Sequence, residues 1–301
     1  MTAGAVYAVA SGKGGVGKST TAINLGAAFV EADRSAVVVD VDLGMANLAD
    51  LLAVDSIDPT LHEVLSGEAD IEDAILEAPG GFDVVLGSTD LESFGRADPA
   101  ALGPVIEALR ESHDLVVLDG SGGLSHDVTV PLGLADGVLI VTTPAEASIT
   151  NAIKTRELVE RLDGTVEGVI VNRIGGAGEA TPADIGGRIG AEVLGSVPED
   201  GAVQVSETEG TPLVTVDRES PAAQSFREIA YGLLEEPLPR TWEESAESDT
   251  EPPASAVPED VASSDPTADT AGERDDRADR SESDGSESRS LLSRMTGGLL
   301  G

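Results

Sequence analysis

The chain has 301 residues, 40% of them apolar but only 2% aromatic, so it can build a sizeable core mainly from Val, Leu, Ile and Ala. Its net charge of −38, from 56 acidic residues against 18 basic ones, is the opposite of the basic face that a nucleic-acid partner requires. It has no cysteine, which excludes disulfides, thiolate metal sites, iron–sulfur ligation and cysteine nucleophiles. Lysine is scarce: Lys13, Lys18 and Lys154 stand against fifteen arginines. An acidic, lysine-poor surface of this kind resembles that of salt-adapted cytosolic proteins, whose self-repulsion is screened because the Debye length falls to about 3 Å at molar salt. No apolar run approaches the ~20 residues that span a bilayer, and no basic segment precedes an apolar core at the N-terminus, so a cytoplasmic protein is expected.

In chain order, the first element is a buried strand, Val6–Ala10, followed by the loop Ser11-Gly12-Lys13-Gly14-Gly15-Val16-Gly17-Lys18-Ser19-Thr20 and a helix over Lys18–Glu31. Residues 12–19 satisfy G-x-x-x-x-G-K-[ST] in the required strand–loop–helix context. The glycines of such a loop turn backbone N–H groups toward phosphate, Lys18 reaches the β and γ oxygens, and the Ser19 hydroxyl ligates Mg2+. The helix that follows aims its positive dipole end at the same phosphates. ATP and Mg2+ are therefore the expected ligands. Two of the three lysines lie five residues apart in this one loop. The run Lys13-Gly14-Gly15-Val16-Gly17-Lys18-Ser19-Thr20 resembles the deviant P-loop of the MinD/ParA family of ATPases, archaeal MinD-like members in particular. In that family the early lysine crosses a nucleotide-sandwich homodimer to the partner's ATP, and Lys13 occupies its position.

The second strand, Ala36–Val41, runs into Asp40-Val41-Asp42-Leu43-Gly44-Met45-Ala46-Asn47-Leu48. Strand alternation would set Asp40 and Asp42 on one side, and a carboxylate there can orient a water beside the γ-phosphate. The D-x-D-x-G-x-x-N-L pattern resembles the first switch of MinD-type proteins. The resemblance assigns the water to Asp42 and makes Asp40 a partner of Mg2+ from behind its direct ligands.

A strand over Asp83–Leu86 and a helix over Pro99–Glu111 lead to Leu115–Leu118, four apolar residues closed by Asp119. This is the pattern of a Walker B strand, whose aspartate reaches Mg2+ directly or through water. MinD-like proteins usually continue this aspartate with x-Pro-Ala-Gly. Here Gly120-Ser121-Gly122-Gly123 keeps a glycine and loses the stiffening proline.

Strands at Gly137–Val141, Val166–Val171 and Val193–Val197 and helices at Ser148–Leu162 and Ala222–Leu234 complete the ordered part. Near-continuous apolar strands alternating with helices imply an α/β fold: a doubly wound, mainly parallel sheet with helices on both faces, binding ligand at the strands' carboxyl ends. Val171-Asn172-Arg173 and Val197-Pro198-Glu199-Asp200 resemble the family's adenine-side segments, and the Asn172 amide offers both donor and acceptor to an adenine edge. No N-K-x-D segment for guanine is present. His62, His113 and His126 are scattered without ligand spacing.

The expected organisation is an ATPase domain over residues 1–237, a disordered acidic linker over 238–288, rich in Glu, Asp, Ser and Pro, and a distinct tip over 289–301. On a helix, Leu291, Leu292, Met295 and Leu299 of the tip share one face, with Arg289 and Arg294 on the other. It resembles the membrane-targeting tail of MinD proteins. The whole resemblance covers about residues 5–235 and implies a homodimerising, slowly hydrolysing ATPase used for spatial positioning. A ParA-like partitioning ATPase shares the core but needs a basic DNA surface; an Mrp-type cluster carrier needs cysteines. A non-hydrolysing, nucleotide-gated adaptor is the alternative that the altered loop 120–123 favours.

Overall fold

The computed structural model of the protein describes residues 3–54, 58–123, 126–176 and 180–238. The tip at 289–301 and the linker beyond residue 238 lie outside the described residues. Eight strands form one sheet: β1 (Ala5–Ser11), β2 (Ala36–Asp40), β3 (Ile75–Glu77), β4 (Asp83–Val85), β5 (Leu115–Gly122), β6 (Gly137–Thr142), β7 (Val166–Ile174) and β8 (Val193–Pro198). Their order is β3-β4-β2-β5-β1-β6-β7-β8, parallel throughout except for the antiparallel edge pair β3–β4. The doubly wound architecture read from the sequence is the one observed, and β1 lies at its centre between β5 and β6.

Alternation along each strand divides the core into two layers. Val6, Ala8 and Ala10 of β1, Val37 and Val39 of β2, and Val116 and Leu118 of β5 face one layer. Val9, Val38, Leu115 and Val117 face the other, which is closed by the helices Lys18–Glu31 and Pro221–Leu233. Phe29, Phe82 and Phe226 are all fully buried in this second layer, each burial contributing about 2–3 kcal/mol relative to exposure. Continuing the alternation, Asp40 and Asp119 point to the second layer, the side of the helix that starts at Lys18.

Three features depart from the sequence expectation. The helix expected over Pro99–Glu111 begins as a 3-10 turn, Pro99–Ala101, in which the Ala100 N–H donates to the Asp98 carboxylate, and only then becomes the helix Leu102–Ser112. β2 stops at Asp40, so strand alternation does not place Asp42, which lies in the following loop. β5 and β7 run past their apolar cores, to Gly122 and Ile174. Among the described residues no helix is long and apolar enough to cross a membrane.

Candidate nucleotide site

The phosphate loop leaves the carboxyl end of the central strand and enters the helix Lys18–Glu31 through Gly17. Gly17 has φ 97°, and a Cβ there would stand 2.2 Å from Nδ2 of Asn172, so both conformation and neighbour demand glycine. The helix has no side-chain cap and no acid in its first turn, which leaves its N-terminal N–H groups for an anion. A Cβ on Gly14 or Gly15 would meet nothing within 4 Å, so these two glycines border open space. The two lysines of the loop have different surroundings: Lys18 is 8% exposed, whereas Lys13 is exposed to solvent. The backbone at Lys13 is fixed by its carbonyl, which accepts the Ser11 hydroxyl at 2.7 Å.

Beneath the loop lie two buried carboxylates. Asp40 and Asp119 are register partners on β2 and β5 and are 1% and 2% exposed. Asp40 spends both oxygens on backbone: Oδ1 accepts the Asp42 N–H at 3.2 Å, and Oδ2 accepts those of Asn47 at 2.9 Å and Leu48 at 3.1 Å. Burial, and after it the Asp119 charge, holds the Asp40 carboxyl well above the ordinary carboxylate range despite those donors. Burial also raises Asp119, against the Ser19 hydroxyl that donates to it and the nearby Lys18 ammonium. Oδ1 of Asp119 is buried with no hydrogen-bond partner. An orphaned carboxylate oxygen beside a serine hydroxyl, under a loop that leaves room for phosphate, fits a hydrated Mg2+ held by Ser19 and Asp119. Asp40 fits a different part: it fastens the loop that carries Asp42.

Asp42 is half-buried at the start of that loop, and its Oδ1 accepts the Met45 N–H at 3.0 Å. It opens onto a cleft of about 850 Å³ whose walls include Lys18, Met45, Phe94, Ser121 and Pro131. Met45 is 79% exposed and Phe94 49%, so the mouth of the cleft is apolar.

The segment 120–123, which lacks the family's proline, is held by backbone pairing instead. β5 stays paired with β1 out to Ser11↔Gly122, across a register shift of one residue after Val9↔Asp119, and the Gly123 N–H donates to the Ser11 carbonyl at 3.0 Å. A Cβ on Gly122 would stand 2.9 Å from the Gly14 nitrogen. The glycines therefore let this strand end lie directly against the phosphate loop.

On the base side, Asn172 lies near the end of β7 and Pro198 closes β8. The Asn172 amide nitrogen donates to the Val16 carbonyl at 2.8 Å, and its oxygen accepts the Arg173 N–H at 2.9 Å. One N–H and one lone pair of that amide remain for a base. The Thr20 hydroxyl is bonded to Oε1 of Glu207 at 2.6 Å, which leaves its backbone N–H as the group it can offer to phosphate. Sequence reasoning missed His62. It is 1% exposed, and its ring contacts the loop beyond Asp42 and the segment after β4. Its partners are 19 and 26 residues away, so no local pattern could have marked it.

Comparison with known proteins shows the family and the fold. The family model described as the CobQ/CobB/MinD/ParA nucleotide binding domain matches residues 7–213. An uncharacterized ATP-binding protein of Methanocaldococcus jannaschii is 37% identical over 230 residues, covering 75% of this chain and 86% of that protein. The crystal structure of the cell division ATPase MinD of Pyrococcus furiosus matches with a TM-score of 0.74 at 33% identity, over 77% of this chain and 99% of its own. The septum site-determining protein MinD of Pyrococcus horikoshii, complexed with Mg-ADP, matches with a TM-score of 0.73 at 32% identity, over 76% of this chain and 95% of its own.

Proposed function

The chain belongs to the CobQ/CobB/MinD/ParA nucleotide-binding family, and from that membership we propose that it is a MinD-type ATPase, a dimeric switch driven by ATP. It binds Mg·ATP, dimerises through it, hydrolyses it slowly, and positions a division site or a polar apparatus in the cell. The observation that carries this reading is the divergent placement of two lysines in one loop. Lys18 is buried at the protein's own phosphate cradle, while Lys13 reaches outward from the same cradle, where a second copy's nucleotide would lie.

The roles of the residues follow. The N–H groups of residues 14–18 and the Lys18 ammonium bind the β- and γ-phosphates and neutralise them. The Ser19 hydroxyl and Asp119 would hold Mg2+, which would supply further charge neutralisation there. Asp42 orients the attacking water; its carboxylate is aimed by the Met45 N–H, and the loop behind it is held to Asp40. Asn172 and Pro198 border the base, Asn172 with its remaining donor and acceptor. Lys13 completes the partner's site, so turnover belongs to the dimer. Residues 289–301 give a weak membrane contact that dimerisation doubles.

The test is Asp42→Ala. It should keep ATP binding and ATP-dependent dimerisation while turnover falls, trapping the dimer. Normal turnover in that variant would remove Asp42 from the water. The backbone-locked segment 120–123 favours a second reading, a nucleotide-gated adaptor that binds and dimerises without hydrolysis. Tight ATP binding with no measurable turnover in the wild-type protein would select it.

A further inference from the structure

Two walls of the cleft hang from one buried side chain. His62 sits in the short helix Leu61–Leu65, which opens with a capping box between Thr60 and Glu63. Its Nδ1 lies 3.0 Å from the backbone nitrogen of Ser88, and its Nε2 lies 3.0 Å from the carbonyl oxygen of Leu43. These partners fix the tautomer. A backbone N–H only donates, so Nδ1 must accept; a carbonyl only accepts, so Nε2 must carry the proton and donate. The ring is neutral, fully satisfied and 1% exposed, so neither bond has water to replace it.

The two partners belong to opposite sides of the site. Leu43 follows Asp42 directly, and residues 41–47 form one wall of the cleft. Ser88 precedes Thr89, and Thr89 and Phe94 belong to the other wall. On the other side of the sheet, the Asp40 carboxylate holds the Asp42 loop through the N–H groups of residues 42, 47 and 48. Asp40 thus anchors the two ends of this loop, and His62 anchors the peptide that follows Asp42.

We propose that His62 is a positioning residue for hydrolysis: its Nε2–H bond to the Leu43 carbonyl holds Asp42 where it can align the attacking water. The residue touches no reacting atom and acts through the peptide next to Asp42. A displacement of about 1 Å in a water-positioning group is enough to reduce turnover about tenfold or more, without affecting phosphate binding. The inference rests on the reading of Asp42 as the water-positioning residue.

Two substitutions separate the two bonds. In His62→Gln the amide nitrogen reaches toward the Nε2 position and can keep the bond to Leu43, but the acceptor for Ser88 is lost. In His62→Asn the amide oxygen takes the Nδ1 position and can keep Ser88, but Leu43 is released. The expected result for His62→Asn is a kcat lower by about tenfold with KM for ATP unchanged within about threefold, and His62→Gln should restore most of the turnover. Amide hydrogen exchange on the nucleotide-free protein supplies a readout that needs no catalysis. Residues 42–48 should exchange faster in His62→Asn than in wild type while Ser88 stays protected, and the pattern should reverse in His62→Gln.

Equal kcat losses in the two variants, a loss that appears in KM alone, or unchanged exchange over residues 42–48 in His62→Asn would each overturn the proposal. If wild-type protein binds ATP without turning it over, the hydrolytic reading fails by itself, and the exchange pattern still decides whether His62 holds the loop.

Discussion

Asp40 and Asp119 stand in register on adjacent parallel strands, and both carboxylates are buried beneath the phosphate loop. Their separate environments explain why both persist. Asp40 is saturated by three backbone N–H groups, whereas Asp119 keeps an oxygen with no protein partner. Without a cation the pair is a burden on the fold, because burial and like charge both raise the free energy of the ionised form.

Asp119→Asn should therefore stabilise the nucleotide-free protein, by about 1–2 kcal/mol, and remove the additional stabilisation that Mg·ATP gives the wild type. Denaturant titrations with and without Mg·ATP measure both effects. An apo protein destabilised by the substitution would show that Asp119 is structural.

The two lysines of the phosphate loop should fail differently. Lys18→Ala removes a buried cation from the protein's own cradle, so calorimetric titration with ATP should show no binding. Lys13→Ala removes an exposed one, so ATP affinity should stay within about threefold of wild type while ATP-dependent dimerisation, followed by light scattering, is lost. Dimerisation that survives in Lys13→Ala would place that lysine outside the interface.

Gly122→Ala tests the close approach of β5 to the loop. Its Cβ would stand 2.9 Å from the Gly14 nitrogen and 3.0 Å from the Gly14 Cα, and neither is a side chain that can swing aside. ATP affinity should fall by at least about tenfold, with global stability lowered by only about 1 kcal/mol.

Far from the site, Arg227 is 2% exposed, and its guanidinium is bonded to Glu31 at 2.6 Å, to the Arg218 carbonyl at 3.0 Å and to the Val214 carbonyl. Arg227→Leu should lower unfolding stability by about 2–3 kcal/mol by denaturant titration without altering nucleotide affinity. Glu31 keeps Arg218 at 3.1 Å, which limits the loss.

Deleting residues 289–301 should abolish co-sedimentation with anionic vesicles at low salt and leave ATP turnover unchanged. Vesicle binding that survives the deletion would assign membrane contact to the ATPase domain.

The elements that sequence made legible are those whose signal is local. The helix Lys18–Glu31 has the predicted bounds, and each predicted strand is present, because β-branched runs buried on both faces leave little ambiguity. Other elements were illegible, three of them for plain reasons. The edge strand Ile75–Glu77 is too short to alternate, and the helix His126–Leu134 contains Pro131 and Gly133. The helix Pro182–Ile189 contains Gly186 and Gly187. Gly186 is required there because a Cβ would stand 2.5 Å from a methyl of Val193, a tertiary reason that overrides helix propensity. The site divides in the same way. Lys18, Ser19 and Asp119 lie on motifs with fixed spacing, and the structure gathers them under one loop. The bonds of Asp40 to residues 42–48, of Asn172 to Val16 and of His62 to Leu43 depend on loop paths that spacing does not encode.

The margins of the sheet constrain how copies of this protein meet. One margin is the three-residue antiparallel strand β3, which ends in the exposed Glu77, and the other, β8, ends in Pro198, which has no N–H to donate. A short edge on one side and a proline-ended edge on the other are poor templates for zipping two sheets into one. Edge-to-edge association would join copies regardless of what they carried. The dimer proposed above uses instead the loop-bearing rim, where nucleotide can govern it.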